Sequence, residues 1–359
     1  MSVIAIAAAA AGLHHAIAED HTMDGIIKYI LSFWAIWWAW MNFTWFASAY
    51  DNDDVPYRIA VLVMMTGALV MAAGVPYIFS DLDATFAVIG FVIMRLALGA
   101  LWLRAAYHDP ERKVTALRYA WGIALCQTVW VMGYFLVPDV LFLAFSFFGF
   151  ICELMVPVIA ERAAPTTWHR HHIVERYGLL TIIVLGESLL ALTSAISSTT
   201  DISFTDHNLL FLILGGLLVV YAMWWLYFSE TEHKAFDGGM FTGFLWGYGH
   251  LIIFGACAAI GAGLAVGVDF VTDHTEISRT LANASISVPA AIFIMALWVV
   301  HEQFHNRGKM SQWLYPITAV LLLGATYAPY GALAVGLIMT GCLVVKVHIH
   351  AARHVEASA

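Results

Sequence analysis

Long apolar stretches, separated by short polar or charged segments, follow one another along the whole chain. Twelve windows are bounded by charged residues, proline or glycine, and most are long enough for a helix to cross a hydrocarbon layer about 30 Å thick. The first window is short and has no Lys or Arg before it, so we interpret it as a partial first helix. The predicted spans lie near 3–18, 27–49, 57–79, 84–107, 115–137, 139–162, 175–198, 208–229, 241–265, 285–304, 312–327 and 329–350.

The composition also indicates a chain that is embedded in a membrane. Of the 359 residues, 62% are hydrophobic and only 11% are charged, whereas soluble domains carry about 25% charged residues. Because a soluble core cannot bury so much apolar surface, the fold class is an all-α, polytopic transmembrane helical bundle of about twelve spans, with the lipid bilayer as its partner. The net charge of −9, with no basic face, argues against a nucleic-acid partner.

The distribution of Lys and Arg residues predicts an orientation. With the N-terminus inside and the loops alternating, thirteen of the 16 fall in inside segments. Lys28 and Arg279 fall outside, and Arg95 lies within a span. Since positive charge accumulates on the cytoplasmic side of membrane proteins, both termini are predicted to be cytoplasmic.

Two Trp-rich segments suggest an internal repeat. Residues 37–40 read Trp-Trp-Ala-Trp, and residues 224–227 read Trp-Trp-Leu-Tyr, about half the chain later. The single membrane domain, 1–359, is therefore divided into possible parallel six-span halves, 1–165 and 166–359. The alternative is that both segments are ordinary aromatic belts at the membrane surface.

Three ionisable residues lie deep in predicted spans. Counted from the charged residue at the inside end of each helix, Arg95 lies about 13 Å in, Glu153 about 12 Å and Glu187 about 17 Å. Because charge at such depth is costly and pairing lowers the cost, Arg95 is expected to meet one or both carboxylates. Two interpretations stay open: a proton or ion relay or charged-substrate site, and a structural ion pair that fixes the helix register.

Isolated polar residues in other spans are weaker candidates. Asn42, Gln127 and His250 each lie alone on an apolar helix, where a polar side chain more often makes an interhelical hydrogen bond than binds a ligand. His250 remains a candidate for lining a cavity because it ends the segment Trp-Gly-Tyr-Gly-His.

One motif favours a metalloenzyme. His301 and His305 have the H-E-x-x-H spacing that places two imidazoles on one helix face to hold Zn²⁺, with Glu302 as the base. The context argues against zinc, because the motif ends a span and no third ligand follows in a suitable place. No phosphate-binding GxxxxGK[ST] and no GxSxG occurs, so the ATPase and serine-hydrolase interpretations lack their motif. No cofactor is expected.

Several segments, taken together, resemble the bacterial low temperature requirement protein A (LtrA) family. They are Trp38–Phe46 with Asp51–Arg58, Met94–Leu96 with Leu101–Arg104, Asp109–Arg112 with Ala116–Tyr119, His172–Gly178 with Thr181–Glu187, Trp225–Tyr227 and Phe244–His250. The resemblance covers most of the chain. It implies a multi-pass protein of the bacterial inner (plasma) membrane that is linked by name to growth in the cold, and it implies no substrate.

The favoured interpretation is a transporter or a proton- or ion-coupled carrier of an unknown small solute or ion. Arg95, Glu153 and Glu187 are its expected centre, with His250 and Asn42 as further candidates. The alternatives are a non-catalytic membrane protein that supports growth in the cold, and an intramembrane zinc enzyme. The sequence leaves the oligomeric state open.

Overall fold

A computed structural model describes residues 2–198, 207–229, 240–301 and 309–358. In these ranges the chain forms twelve α-helices and no β-strand, which confirms the all-α expectation, and each predicted span overlaps one helix. A short 3₁₀ turn, Ala325–Tyr327, precedes the last helix. The helices are α1 (Ser2–Ala18), α2 (Thr22–Ala49), α3 (Val55–Asp81), α4 (Thr85–His108), α5 (Lys113–Leu136), α6 (Asp139–Glu161), α7 (Arg170–Ser198), α8 (His207–Phe228), α9 (Met240–Val271), α10 (Arg279–Val300), α11 (Lys309–Gly324) and α12 (Gly331–Ser358).

Nine of the described helices, α3 to α10 and α12, are long and apolar enough to cross a membrane. Helices α1 and α11 are shorter, with 17 and 16 residues. Helix α2 has 28 residues, but its tryptophans and the charged Asp24 and Lys28 in its first turns lower its mean hydropathy. A multi-pass helical membrane protein is therefore supported by nine helices, and the total of twelve spans stays a prediction.

Helix α10 begins earlier than the apolar pattern predicts. The predicted span starts near 285, whereas the helix starts at Arg279, directly after Ser278. The Ser278 side chain accepts a hydrogen bond from the backbone N–H of Leu281, so it caps the free donors at the helix start. The polar first turns of α10 hide this start from a search for apolar windows.

The described residues pack as two compact units. The first comprises the chain up to Ala8 together with Leu31–Ile173, and the second comprises Ala9–Ile30 and the chain from Val174 onward. In the first unit, α3 to α6 pack in sequence order, each against the next. In the second unit α9 packs on α10 and α8 on α12. The predicted repeat halves, 1–165 and 166–359, stay a prediction.

Glycines allow the helices of the second unit to approach closely. A Cβ at Gly263 of α9 would collide with the backbone carbonyl of Ser285 on α10, and one at Gly215 of α8 would collide with the backbone of Ala332 on α12. These are the small-residue contacts by which membrane helices associate.

Substituting Gly263 should therefore destabilise the protein. We expect Gly263→Ala to lower the free energy of unfolding by about 1–3 kcal/mol, because the new methyl group forces two backbones apart. The matched control is Gly341→Ala, since no atom lies within 4 Å of a Cβ built there and alanine favours the helix. Thermal unfolding of both variants in detergent measures the two effects. Equal effects of the two changes would contradict the packing explanation.

Candidate functional site

Arg95 on α4 and Glu153 on α6 form an ion pair inside the first unit. Arg95 Nη2 lies 2.5 Å from Glu153 Oε2, and the two side chains are 1% and 0% exposed. Trp38 of α2 donates a hydrogen bond from Nε1 to the same carboxylate oxygen at 2.9 Å. Glu153 and Glu187 lie at similar predicted depths in their helices, and of these two carboxylates Arg95 binds Glu153.

Helix periodicity directs both charges into the core. On α4, Arg95 lies on the same buried face as Phe91, Leu98 and Trp102, at spacings of three and four residues. On α6 the buried Glu153 is followed at the same kind of spacing by buried Val156 and Ala160. The charges therefore occupy positions at which the surrounding sequence places apolar side chains.

The hydrogen bonding of this ion pair is incomplete. Arg95 Nε and Nη1 and Glu153 Oε1 are buried and have no hydrogen-bond partner among the described residues. The guanidinium carbon of Arg95 lies 5.6 Å from the centroid of the Phe91 ring, a cation–π contact that offsets part of its desolvation. A buried polar atom without a partner costs about 1–3 kcal/mol, so each such atom is a candidate for binding a further group.

Glu187 lies on α7 in the second unit. Its side chain is partly exposed, and within the described part of that unit its carboxylate has no hydrogen-bond partner. The next residue, Ser188, is buried and donates to the carbonyl oxygens of Val184 and Cys257 at 3.1 and 3.2 Å. The role expected for Glu187 stays a prediction.

His250 is completely buried in the second unit. Its Nδ1 lies 2.7 Å from the Trp246 carbonyl oxygen and its Nε2 lies 3.0 Å from the Tyr227 hydroxyl. The arrangement fits a neutral ring that donates from Nδ1 to the carbonyl and accepts from the Tyr227 hydroxyl at Nε2. Because Tyr227 belongs to α8 and His250 to α9, the expected interhelical hydrogen bond is present.

Asn42 in the first unit bonds to its own helix instead of to a neighbour. Its Nδ2 donates to the Trp38 carbonyl oxygen at 2.8 Å, and the side chain is buried. Asn42 thus contacts the backbone of the residue whose indole holds Glu153, which makes it a positioning candidate for that site.

The candidate zinc motif is only partly described. His301 follows α10 directly, is buried, and has its ring 5.5 Å from that of His250 and 5.3 Å from that of Tyr227. Glu302 and His305 lie outside the described residues. Within the described ranges no three His, Cys, Asp or Glu side chains are grouped so as to hold a metal ion. The metal assignment of His301 and His305 stays a prediction.

Comparison with known proteins identifies the family. Residues 1–347 match the family model described as "Bacterial low temperature requirement A protein (LtrA)". The chain belongs to the LtrA family. An uncharacterized protein of Rhizobium meliloti (strain 1021) is 26% identical to this LtrA-family chain over 304 residues, which cover 80% of the chain and 72% of the relative. No solved structure matches the chain.

Several LtrA-like segments contact one another through charged side chains within the first unit. Arg104 of the α4 segment binds both carboxylate oxygens of Asp54, which precedes α3 and also accepts from the Tyr57 backbone N–H. Asp109, after α4, accepts from the Tyr50 hydroxyl at 3.1 Å. The sequence resemblance to the LtrA family includes these segments, but it did not predict that they contact one another.

These contacts shift the pKa values of the loop carboxylates. The hydrogen bond from Arg104 holds the pKa of Asp54 below its usual value. Partial burial raises the pKa of Asp109, but hydrogen bonds from the Arg112 backbone and from Tyr50 outweigh burial and lower it. Burial, together with the neighbouring Asp109, raises the pKa of Tyr50.

The first unit should therefore lose stability in acid. Groups with a lowered pKa stabilise the fold above the unfolded value of about 3.9, and this contribution is lost as the pH falls through their folded pKa values. We expect the unfolding temperature to drop between about pH 5 and pH 2, with a shallower drop for Asp54→Asn. The control is Asp51→Asn, at an exposed position with no described hydrogen bond. Equal slopes for both variants would contradict the assignment.

Proposed function

We propose that this LtrA-family protein is a proton-coupled carrier of a small solute or ion across the bacterial inner membrane, with Arg95 and Glu153 as its charged centre. The observation that carries the proposal is the buried ion pair with three unpartnered polar atoms. A pair that served packing alone would be expected to satisfy its hydrogen bonds within the protein.

The pair gives the first unit an element with two charge states. While Glu153 is ionised, it holds Arg95 at 2.5 Å. A proton added to the Glu153 carboxylate removes its negative charge and leaves the Arg95 guanidinium without a counter-ion in an apolar interior. Because an uncompensated charge there is unfavourable, protonation favours either binding of an anionic or carbonyl group by Arg95 or a rearrangement of the helices.

A structural ion pair is the second candidate, favoured by the additional support that Trp38 and Phe91 give to the two groups. Such contacts also fit a pair whose task is to fix helix register. The candidates differ in one respect: a structural pair can be replaced by two neutral side chains without loss of activity, whereas a proton-binding centre cannot.

Proton flux into proteoliposomes tests the carrier. The purified full chain is reconstituted with a pH-sensitive dye inside, and a potassium diffusion potential drives protons inward. We expect Glu153→Gln, alone or together with Arg95→Gln, to reduce flux to the level of protein-free vesicles, because the proton-binding group is gone.

The matched control for this assay is Glu276→Gln, which removes an exposed carboxylate in the segment between α9 and α10. It should keep the flux of the unmodified protein. Flux of normal size in the doubly neutral variant would overturn the carrier proposal in favour of the structural pair, and so would an unmodified protein that moves no protons.

A further inference from the structure

We infer that a cavity in the first unit, near the Arg95–Glu153 pair, is a binding site for a small, uncharged, single-ring aromatic molecule that carries a hydroxyl or an amide group. The cavity has a volume of about 130 Å³ and is lined only by residues between Leu31 and Phe150. An apolar protein cavity of about 150 Å³ holds one benzene molecule, so the space suits one ring.

Aromatic side chains form the walls of the cavity. Trp34 and Phe150 stack with their centroids 3.7 Å apart, and the Trp130 ring lies 5.5 Å from that of Phe150. Such flat faces bind a planar ring by stacking or by edge contact. No Asp, Glu, Lys, Arg or His lines the cavity, so a charged ligand would find no counter-ion in its wall.

Three of the lining side chains carry buried polar atoms without partners among the described residues. Both amide atoms of Gln127, the hydroxyl of Ser32 and the indole Nε1 of Trp130 are in this state. Gln127 and Ser32 are each only 5% exposed. The Gln127 carbonyl requires a donor, and its NH₂ group and the Trp130 N–H require acceptors. A hydroxyl or an amide offers both kinds of group, whereas a hydrocarbon or a lipid chain offers neither.

The cavity is separated from the ion pair by one aromatic side chain. Phe91 lines the cavity, and the centroid of its ring lies 5.6 Å from the guanidinium carbon of Arg95. The site nevertheless stands apart from the carrier proposal, because binding is measured at equilibrium and requires no transport. A chain that binds the ring but moves no protons would refute the carrier and leave the site intact.

Fluorine NMR of the purified full chain in nanodiscs tests the site with three probes of similar shape. The probes are 4-fluorophenol, which is polar and uncharged, 4-fluorotoluene, which is apolar, and 4-fluorobenzoate, which is charged. We expect saturable binding of 4-fluorophenol, and binding about tenfold weaker or absent for the other two, because only the phenol satisfies the buried amide without bringing a charge.

Two variants and one control locate the binding. Gln127→Leu should weaken 4-fluorophenol about tenfold and leave 4-fluorotoluene unchanged or tighter. Val88→Phe, which fills the cavity from its wall, should abolish saturable binding of both. Gln312→Leu, the same change at an exposed position of α11, should have no effect.

Two results would overturn the site. One is 4-fluorophenol binding that does not saturate, which would leave water as the only partner of Gln127 and Ser32. The other is saturable binding that persists in Val88→Phe, which would place the probe elsewhere. Because Val88→Phe keeps all the polar groups, it remains informative if Gln127→Leu fails to fold.

Discussion

Removing one partner of the Arg95–Glu153 pair is expected to lower the free energy of unfolding by about 3–5 kcal/mol. In Glu153→Gln the guanidinium, only 1% exposed, keeps its charge and loses the carboxylate at 2.5 Å. In Arg95→Gln the carboxylate keeps only the Trp38 indole as a described donor. Either single change therefore leaves a buried charge without compensation.

The double variant, Arg95→Gln with Glu153→Gln, should recover most of this loss. It removes both charges at once, so the uncompensated buried charge that makes each single change costly is absent. Unfolding in detergent, monitored by circular dichroism, gives the free energies of unfolding of the unmodified protein, the two single variants and the double variant. These four values complete a double-mutant cycle.

The control for this cycle is the exposed ion pair of Arg58 and Asp53. These atoms lie 2.9 Å apart on side chains that are 65% and 71% exposed. Arg58→Gln should change stability far less than either buried single variant, because solvent screens such pairs. If Glu153→Gln and Arg95→Gln each lower the free energy of unfolding no more than Arg58→Gln does, the burial argument is contradicted. If the effects of the two single changes simply add up in the double variant, the two groups do not interact.

If the growth in the cold that the family name denotes depends on this chain, the same double variant should fail to restore it to a strain that lacks the protein. It removes the proposed proton-binding centre but, by the cycle above, leaves a stable fold. The unmodified chain is expected to restore growth. The expected reason for the loss is chemical and not structural, since neither glutamine can exchange a proton as the proposed carrier requires of Glu153.

Immunoblots of the membrane fraction must show equal amounts of both proteins. The matched control replaces Lys113 and Glu276 by glutamine, which removes one positive and one negative charge at exposed positions. That control should restore growth fully. Growth with the Arg95 and Glu153 double variant at normal protein level would show that the buried charges are dispensable, and the carrier proposal would fall with that result.

The helical architecture could be predicted from the sequence because apolar length is a strong signal. Each predicted span overlaps a helix, and the largest error at a helix start falls at α10, where Ser278 caps a polar first turn. The number of membrane crossings does not follow from helix length alone, because tryptophan-rich α2 is long but is not among the nine described helices that are apolar enough to cross.

The candidate site could be predicted only in part. Depth along a helix indicated that Arg95 meets a carboxylate, but Glu153 and Glu187 have similar depths. The choice between them depends on which helices are neighbours and how each is rotated, and neither property is encoded in spacing along one helix. Trp38 and Gln127 carry no distinctive pattern, since one lies among other tryptophans and the other is alone on an apolar helix.

In the proposed carrier, the two oxygens of Glu153 differ in a way that would set an order of events. Arg95 and Trp38 both donate to Oε2, whereas Oε1 has no described donor. A proton arriving at this carboxylate therefore finds the free lone pairs on Oε1 and need not displace either existing donor. Neutralisation can precede any movement of the helices, so the charge would change first and the guanidinium would separate afterwards.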